Sequence, residues 1–444
     1  MQIKQYNCDC VVCKNNHDFS IEKKLLNEIL NGQVVLFAGA GISTESKLVL
    51  KQTFYEQIAN ELDTHNQSFP ELMEKFCKQP NGRLELLKNI RKRFDHINSF
   101  SELRQAATRF HNEIGTFFPL KDIVTTNWDT YFEDHCNAVP FISDPDLAFW
   151  EAADRRVLKI HGSISNLGSV VATTNDYKSC EKRLNSGLIG AQLKSLLATK
   201  TIIFTGYSFT DSDFNSIYKF VRKQMKDLHR QSYIVTPFPQ EAAKFSSIGL
   251  IPIITDGAYF WRRIKAHAIA EEIMSDDSIY SSAIKLLDLV SFEHKRLHKK
   301  IKTADFPEMI FSACYQDGMT HALDRVITLR GSGDYSNSHR LFHVIQNYIE
   351  IKKEKLKNGI YEDVAYIEGY LNALFYIESN SFKETQVPLY FGFRATEDML
   401  NLTQYIHYLN QKKSIHKASV LRSKKILSKY TNPTSIVFHH PPWL

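Results

Sequence analysis

The chain has 444 residues, 43% of them hydrophobic and 23% charged, enough apolar material for a sizeable core and, by length, for two or three domains. Its formal charge of +6 is too small a bias over this length to mark a nucleic-acid binder. No run approaches the roughly 18 uninterrupted apolar residues of a membrane span, the start Met1-Gln2-Ile3-Lys4-Gln5-Tyr6 lacks a secretory apolar stretch, and seven unevenly spaced cysteines fit reduced thiols better than a disulfide frame. The expectation is a soluble, cytoplasmic protein.

Taken in chain order, residues 1–24 read as an N-terminal extension. Within it Cys8, Cys10, Cys13 and His17 form C-x-C-x2-C-x3-H, four soft donors that could make a small zinc knuckle. Structural zinc sites usually draw ligands from two separated pairs, and a buried thiol packs as a small hydrophobe, so the bland reading is favoured. Next, Val34-Val35-Leu36-Phe37-Ala38 is an apolar strand that ends in Gly39-Ala40-Gly41-Ile42-Ser43. Glycines there would let backbone N–H groups approach a phosphate, with a helix starting near Ser43 aiming its positive end at it. Residues 50–115 are helical in pattern: Phe54, Ile58 and Leu62 share one face, and Leu84, Leu87, Ile90, Arg91 and Phe94 make a second stripe. Lys88, Arg91, Lys92 and Arg93 read as a solvated helix face rather than a phosphate site.

Three further apolar strands run into polar turns. They end in Asn127-Trp128-Asp129, in His161-Gly162, and in Gly206-Tyr207-Ser208. Ligands of open α/β sheets gather at the carboxyl ends of strands, so four such endings describe one convergent pocket better than four unrelated turns. Each has a bland alternative: Asn127 and Asp129 capping the helix that follows, His161 a hydrogen-bonded core histidine, Ser208 and Asp211 an ordinary turn. Tyr177 reads as a simply packed side chain, with lining the pocket the lesser reading. Tyr233–Thr236 and Ile251–Thr255 are the last strands, the second closed by Asp256-Gly257.

At these residues the chain resembles the sirtuin superfamily. Gly39, Ala40, Gly41 and Ser43 match its phosphate loop, Asn127 and Asp129 its Asn-x-Asp element, His161-Gly162 its His-Gly element, and Gly206 with Ser208 its later Gly-x-Ser loop. The resemblance implies NAD as the cofactor consumed, with cleavage between nicotinamide and ribose, and places adenosine near Asp256. It implies a Rossmann-like parallel sheet over residues 25–270, with the helical insertion covering the cofactor. Two departures stand out: the two Cys-x-x-Cys zinc pairs of deacylating sirtuins are missing, since the interval from His161 to Gly206 holds only Cys180, and so is the Asp-Phe-Arg segment after the phosphate loop. No zinc is therefore expected in the catalytic domain. The pattern is nearest to bacterial sirtuin-like effectors of antiphage defence, which hydrolyse NAD.

The chemistry follows from residue type. Nicotinamide leaves a ribose that becomes oxocarbenium-like, so a hydrolase must stabilise that cation and place a water. Asn127 can fix a ribose hydroxyl or a water without changing protonation, Asp129 can bind the carboxamide and lend negative charge, and His161 titrates near neutrality. The expected function is an NAD hydrolase (NADase) that yields nicotinamide and ADP-ribose, triggered in defence. The alternatives are a deacylase or ADP-ribosyl transferase in the same pocket, or a module that binds NAD or ADP-ribose without turnover.

Beyond residue 270 the pattern becomes all-α. Helical stripes broken at Asp305-Phe306-Pro307, Gly331-Ser332-Gly333, Asn358-Gly359 and Gln386-Val387-Pro388 suggest short helix pairs over 271–444. Basic runs at Lys295, Arg296, Lys299, Lys300 and Lys302, and from Lys412 to Lys429, read as solvated faces, with contact to nucleic acid the lesser reading. The apolar end, with Phe438, Trp443 and Leu444, suggests docking within the chain or on another subunit. A homo-oligomer is expected, with a helicase, an Argonaute-like protein or a phage protein as partner and no membrane.

Overall fold

The computed structural model describes residues 10, 12–379, 383–411, 416–430 and 437–442. Contacts divide the chain into two compact units, Met1–Ala268 and Ile269–Leu444.

The first unit is a seven-stranded, all-parallel sheet. Its strands are β1 (Val34–Ala38), β2 (Asp122–Thr125), β3 (Val139–Phe141), β4 (Arg156–Lys159), β5 (Thr201–Thr205), β6 (Ser232–Thr236) and β7 (Ile251–Ile254), in the order β3-β4-β2-β1-β5-β6-β7. Every residue of β1, β2, β5 and β6 is buried, which is why these strands read as continuous apolar runs rather than alternating ones. Edge strand β3, short and half exposed, carried no such signal. Because β1 pairs with β2 on one side and β5 on the other, the chain reverses its winding there, and a crevice opens at the carboxyl ends of those strands.

Helix α1 (Lys23–Leu30) precedes β1; four helices then separate β1 from β2, namely α2 (Phe54–Glu61), α3 (Phe69–Cys77), α4 (Gly82–Ser99) and α5 (Ser101–Gly115). A capping box starts α2, with the Thr53 side chain accepting from Glu56 N and the Glu56 carboxylate accepting from Thr53 N. The buried stripe of α4 is Leu86, Ile90, Phe94 and Ile97; Leu84 and Arg91, expected on it, face solvent. Leu62 falls just past the end of α2 and is half-buried. No helix begins near Ser43: the chain makes one tight turn at Ala40–Ile42 and then irregular structure as far as α2.

The remaining helices of this unit are α6 (Tyr131–Cys136), α7 (Thr174–Ser186), α8 (Leu188–Thr199), α9 (Ser212–Met225), α10 (Ala242–Ser247) and α11 (Gly257–Ala270). The N-terminal extension packs here too: Asn15 O accepts from Asp256 N, His17 O from Thr255 Oγ1, and Phe19 lies 5.2 Å from Phe260. Of the cysteine cluster, Cys8 lies outside the described residues, and Cys10 Sγ accepts from Cys13 N.

The second unit is helical: α12 (Ser278–Lys300), α13 (Met309–Thr328), α14 (Ser338–Lys357), α15 (Tyr361–Ser379), α16 (Leu402–Asn410) and α17 (Lys417–Leu427). The four breaks read from Pro and Gly fall between successive helices, but the first four helices run 19–23 residues and are not short. Helices α13 and α15 touch backbone to backbone. A Cβ at Gly318 would lie 2.0 Å from Tyr366 O, and one at Gly369 would lie 1.8 Å from Tyr315 O. Lys295, Lys299, Lys300 and Lys302 are exposed, as a solvated face requires, while Arg296 pairs with Glu293 and Arg422 with Glu362. Phe438 is buried in the core of its own unit, and Trp443 and Leu444 lie outside the described residues. Among the described residues no helix is long and apolar enough to cross a membrane.

Candidate active site

The strand-end loops at the crevice are brought together by glycine. A Cβ on Gly39 would lie 2.4 Å from Gly206 O, and Gly206 itself holds φ +62°, so the loops after β1 and β5 meet closely only as glycine. Their contact consumes the very N–H groups expected to face a phosphate: Gly39 N donates to Thr205 O, Gly41 N to Gly206 O, Ile42 N to Gly39 O and Ser43 N to Ala40 O. These glycines therefore seat one loop on another, while Ala40, Gly41, Gly206 and Ser208 still line a cavity of about 370 Å³, within the range of nucleotide-sized pockets.

Asn127 and His161 line that cavity together. Thr125 at the end of β2 fixes the first of them, donating to Ala38 O at 2.9 Å while accepting from Asn127 N at 3.0 Å. The Asn127 amide then donates to Gly39 O (3.2 Å) and Ser43 Oγ (3.4 Å), and its Oδ1 is buried with no protein donor. A buried acceptor left open this way is costly unless a ligand or water supplies the donor.

His161 follows β4 and is 3% exposed. Its Nε2 lies 2.9 Å from Asp213 Oδ2 on α9, and the Tyr177 ring packs edge-on at 5.0 Å. Burial opposes protonation, but the Asp213 hydrogen bond and the charges of Asp211 and Asp213 outweigh it and raise the imidazole above its ordinary pKa. Burial likewise pushes Asp213 up, and the hydrogen bond and charge of His161 more than reverse it, so the carboxyl is held below its usual range. A carboxylate on Nε2–H leaves Nδ1 as the basic nitrogen. Tyr177 donates to Asp211 Oδ1 at 2.8 Å, so it is both packed and part of the cavity wall.

Four expected ligand residues are engaged otherwise. Asp129, 2% exposed, does not line the cavity: Oδ2 accepts from Ser43 Oγ at 2.9 Å and Oδ1 from Tyr131 N at 3.3 Å, an Asx turn leading into α6, whose N-cap is Thr130. Burial is the main cause of its raised pKa, against the opposing charge of Lys159. Ser43, fully buried, links Asp129 to Asn127 and so positions rather than contacts. Asp256 does not line the cavity; both its oxygens are held by Arg109, at 2.8 and 2.6 Å. Ser208 bonds to its neighbour Thr210 at 2.8 Å, an ordinary turn at the cavity rim.

The sequence reading missed Asp213, Glu45 and Arg93. Asp213 had a signal in Asp211-Ser212-Asp213, paired acids at a helix start beside a strand-end turn. Arg93 is not part of a solvated face: 8% exposed, it reaches the cavity wall, donating to Glu45 Oε1 (3.1 Å), Thr44 O (3.1 Å) and Gln52 O (2.9 Å). Burial raises Glu45, the Arg93 charge opposing it. Phe54 and Phe69 from the insertion stand 6.4 and 6.0 Å from Trp128, and the three line one side of the cavity as an aromatic wall.

Replacing Asp213 with Asn tests its hold on His161. If the neutral imidazole acts as a base, activity rises with pH through its raised pKa. Asp213→Asn removes the hydrogen-bonded carboxylate and leaves only the charge of Asp211 against burial, so the acidic limb of the pH–rate profile should move to lower pH. Because the carboxamide presents Nε2 with no charge to fix its tautomer, the maximal rate should fall about 10-fold or more. An acidic limb that stays in place would show that Asp213 does not tune this group.

Comparison with known proteins agrees with the geometry. Residues 121–253 match the SIR2-like domain. The chain is 28% identical over 235 residues to defense-associated sirtuin 2 of Bacillus subtilis, covering 49% of this chain and 22% of that protein. It is 27% identical over 221 residues to NAD(+) hydrolase ThsA of Cytobacillus dafuensis (48% and 42% covered), and 26% identical over 222 residues to that of Enterococcus faecium (48% and 45%). The chain thus matches less than half the length of each of these relatives. Parallel sheet, strand-end motifs and family match coincide: the α/β unit resembles the sirtuins, and residues 121–253 within it match the SIR2-like domain.

Proposed function

We propose that the chain is an NAD glycohydrolase. Water replaces nicotinamide at the ribose carbon, giving nicotinamide, ADP-ribose and a proton. The observation that carries this reading is the meeting of two groups in one cavity: Asn127, whose buried Oδ1 has no protein donor, and the His161 imidazole held by Asp213. Asn127 would hold a ribose hydroxyl or the attacking water through that acceptor, and His161 would take the proton through Nδ1. Asp211 lines the same cavity, adding negative charge where the ribose becomes cationic, while Glu45 there is paired with Arg93. Two relatives, each matched over 48% of this chain, are named NAD(+) hydrolases, and a third is named a defence-associated sirtuin. Deacylation is the weaker reading. The stretch between His161 and Gly206, where the zinc pairs of deacylating sirtuins would sit, is here filled by α7 and α8 with one buried cysteine, Cys180.

In the cell we place the activity in antiphage defence, restrained until a trigger acts through the helical unit, with assembly into a homo-oligomer as the coupling step. The test is product analysis: NAD incubated with the purified chain, and NAD levels in expressing bacteria before and after phage challenge. Equimolar nicotinamide and ADP-ribose are expected. NAD that protects the chain from heat yet stays intact under both conditions would replace the hydrolase with a binding module.

A further inference from the structure

The helical unit carries a histidine cluster that the proposed reaction does not use. On α12, His294 and His298 are spaced i, i+4 and so share one face, their rings 4.5 Å apart. Each has its Nδ1 at a carbonyl oxygen: His294 at Gln316 Oε1 (3.1 Å), His298 at His294 O (3.1 Å). An oxygen acceptor at Nδ1 makes that nitrogen the donor and leaves the lone pair on Nε2. Both Nε2 atoms are buried and neither has a partner.

Two more donors face this pair. Asp317 on α13 accepts from His440 N at 2.7 Å and lies 3.0 Å from His439 Nδ1, and the His439 ring stacks on His294 at 4.9 Å. Ligand atoms of His294, Asp317 and His439 all lie within 4.8 Å of one another. A tetrahedral ion at about 2.1 Å from each donor needs them roughly 3.4 Å apart. The closure required is small, and His439, 57% exposed, is free to make it by side-chain rotation.

We propose that His294, Asp317 and His439 bind a divalent transition-metal ion of the zinc class, with water completing the coordination and His298 beside them. Two imidazoles and one carboxylate suit zinc and its neighbours, and do not suit magnesium or calcium, which take oxygen. The carbonyl acceptor behind His294 is the supporting bond that orients such a ligand. Because His439 lies in the segment 437–442 while the other two belong to helices, the ion ties that segment to α12 and α13. The His294 Nε2 left bare by the protein receives the partner its geometry lacks.

The test uses the full chain stripped with chelator and titrated with Co²⁺ and Zn²⁺. A Cys8→Ser, Cys10→Ser, Cys13→Ser variant separates this site from the N-terminal cysteines, since sulfur ligands give cobalt a near-ultraviolet charge-transfer band and nitrogen and oxygen ligands do not. One equivalent of Co²⁺ is expected to bind in wild type and in the cysteine variant, with visible bands and no sulfur band in the latter. His294→Ala and the surface change His439→Ala should each weaken binding at least 100-fold, with the helical circular dichroism of His439→Ala unchanged. Zinc should slow proteolysis of the C-terminal segment in wild type only. No binding by the stripped wild type, or binding in the cysteine variant that survives both histidine changes, overturns the proposal.

Discussion

His161→Ala and Asn127→Ala are each expected to reduce NAD cleavage by about 10² to 10⁴-fold, the range over which a positioned base or a preorganised polar group accelerates such steps. The two losses have different structural costs. Removing the imidazole leaves Asp213, fully buried, without the partner that holds it ionised, so His161→Ala should also lower stability. His161→Gln keeps a hydrogen-bonding group beside Asp213 and removes only the titrating base; it should be as inactive as the alanine variant while unfolding nearer to wild type. Asn127→Ala gives up the bonds to Gly39 O and Ser43 Oγ, yet Ser43 stays tied to Asp129, so the loop should persist. Nicotinamide release measured by chromatography, beside thermal melts with and without NAD, separates lost chemistry from lost fold. Folded variants that cleave NAD at rates near wild type would remove these residues from the reaction.

The parallel sheet was legible because its central strands are buried on both faces, and such strands must be written as unbroken apolar runs ending at glycine or a polar turn. Edge strand β3 has only Phe141 buried, so its three residues carried almost no pattern. Asn127 and His161 could be read because strand ends at a reversal of winding point into one crevice. What those ends do to one another was not readable. A Gly-Ala-Gly turn can offer its N–H groups to a phosphate or spend them on a neighbouring loop, and only the position of Gly206 decides. Asp129 and Ser43 show the same limit: both residue types can bind a ligand or hold a loop, and here they hold each other. Arg93 was misread for a related reason. Its neighbours Lys88 and Arg91 do face solvent, so charge density along α4 suggested one face, whereas the 3.6-residue period turns Arg93 toward Glu45. The histidine pair on α12 escaped notice because its other donors lie about 20 and 140 residues away along the chain and no local spacing announces them.

Arg155→Met should cost the α/β unit about 3–5 kcal/mol, the loss expected when a buried, fully hydrogen-bonded charge is removed from partners that cannot reach water. Arg155 is 4% exposed, and its guanidinium donates to four backbone carbonyls: Leu120 O through Nε, Gly115 O and Cys136 O through Nη1, and Phe117 O through Nη2, all at 2.7–2.8 Å. Gly115 and Cys136 are the last residues of α5 and α6, where carbonyls lack intrahelical donors and the helix dipoles place negative charge. One planar fork therefore closes two helix ends and the turn that leads into β2. Methionine fills much of the same volume but strands those oxygens, and lysine, a single compact charge, cannot reach all four directions. Arg155→Lys should accordingly recover only part of the loss. Arg155 does not line the cavity, so whatever fraction remains folded should cleave NAD with wild-type KM. Urea unfolding followed by circular dichroism measures the difference; a loss below about 1 kcal/mol for Arg155→Met would mean that water replaces the guanidinium at these carbonyls without penalty.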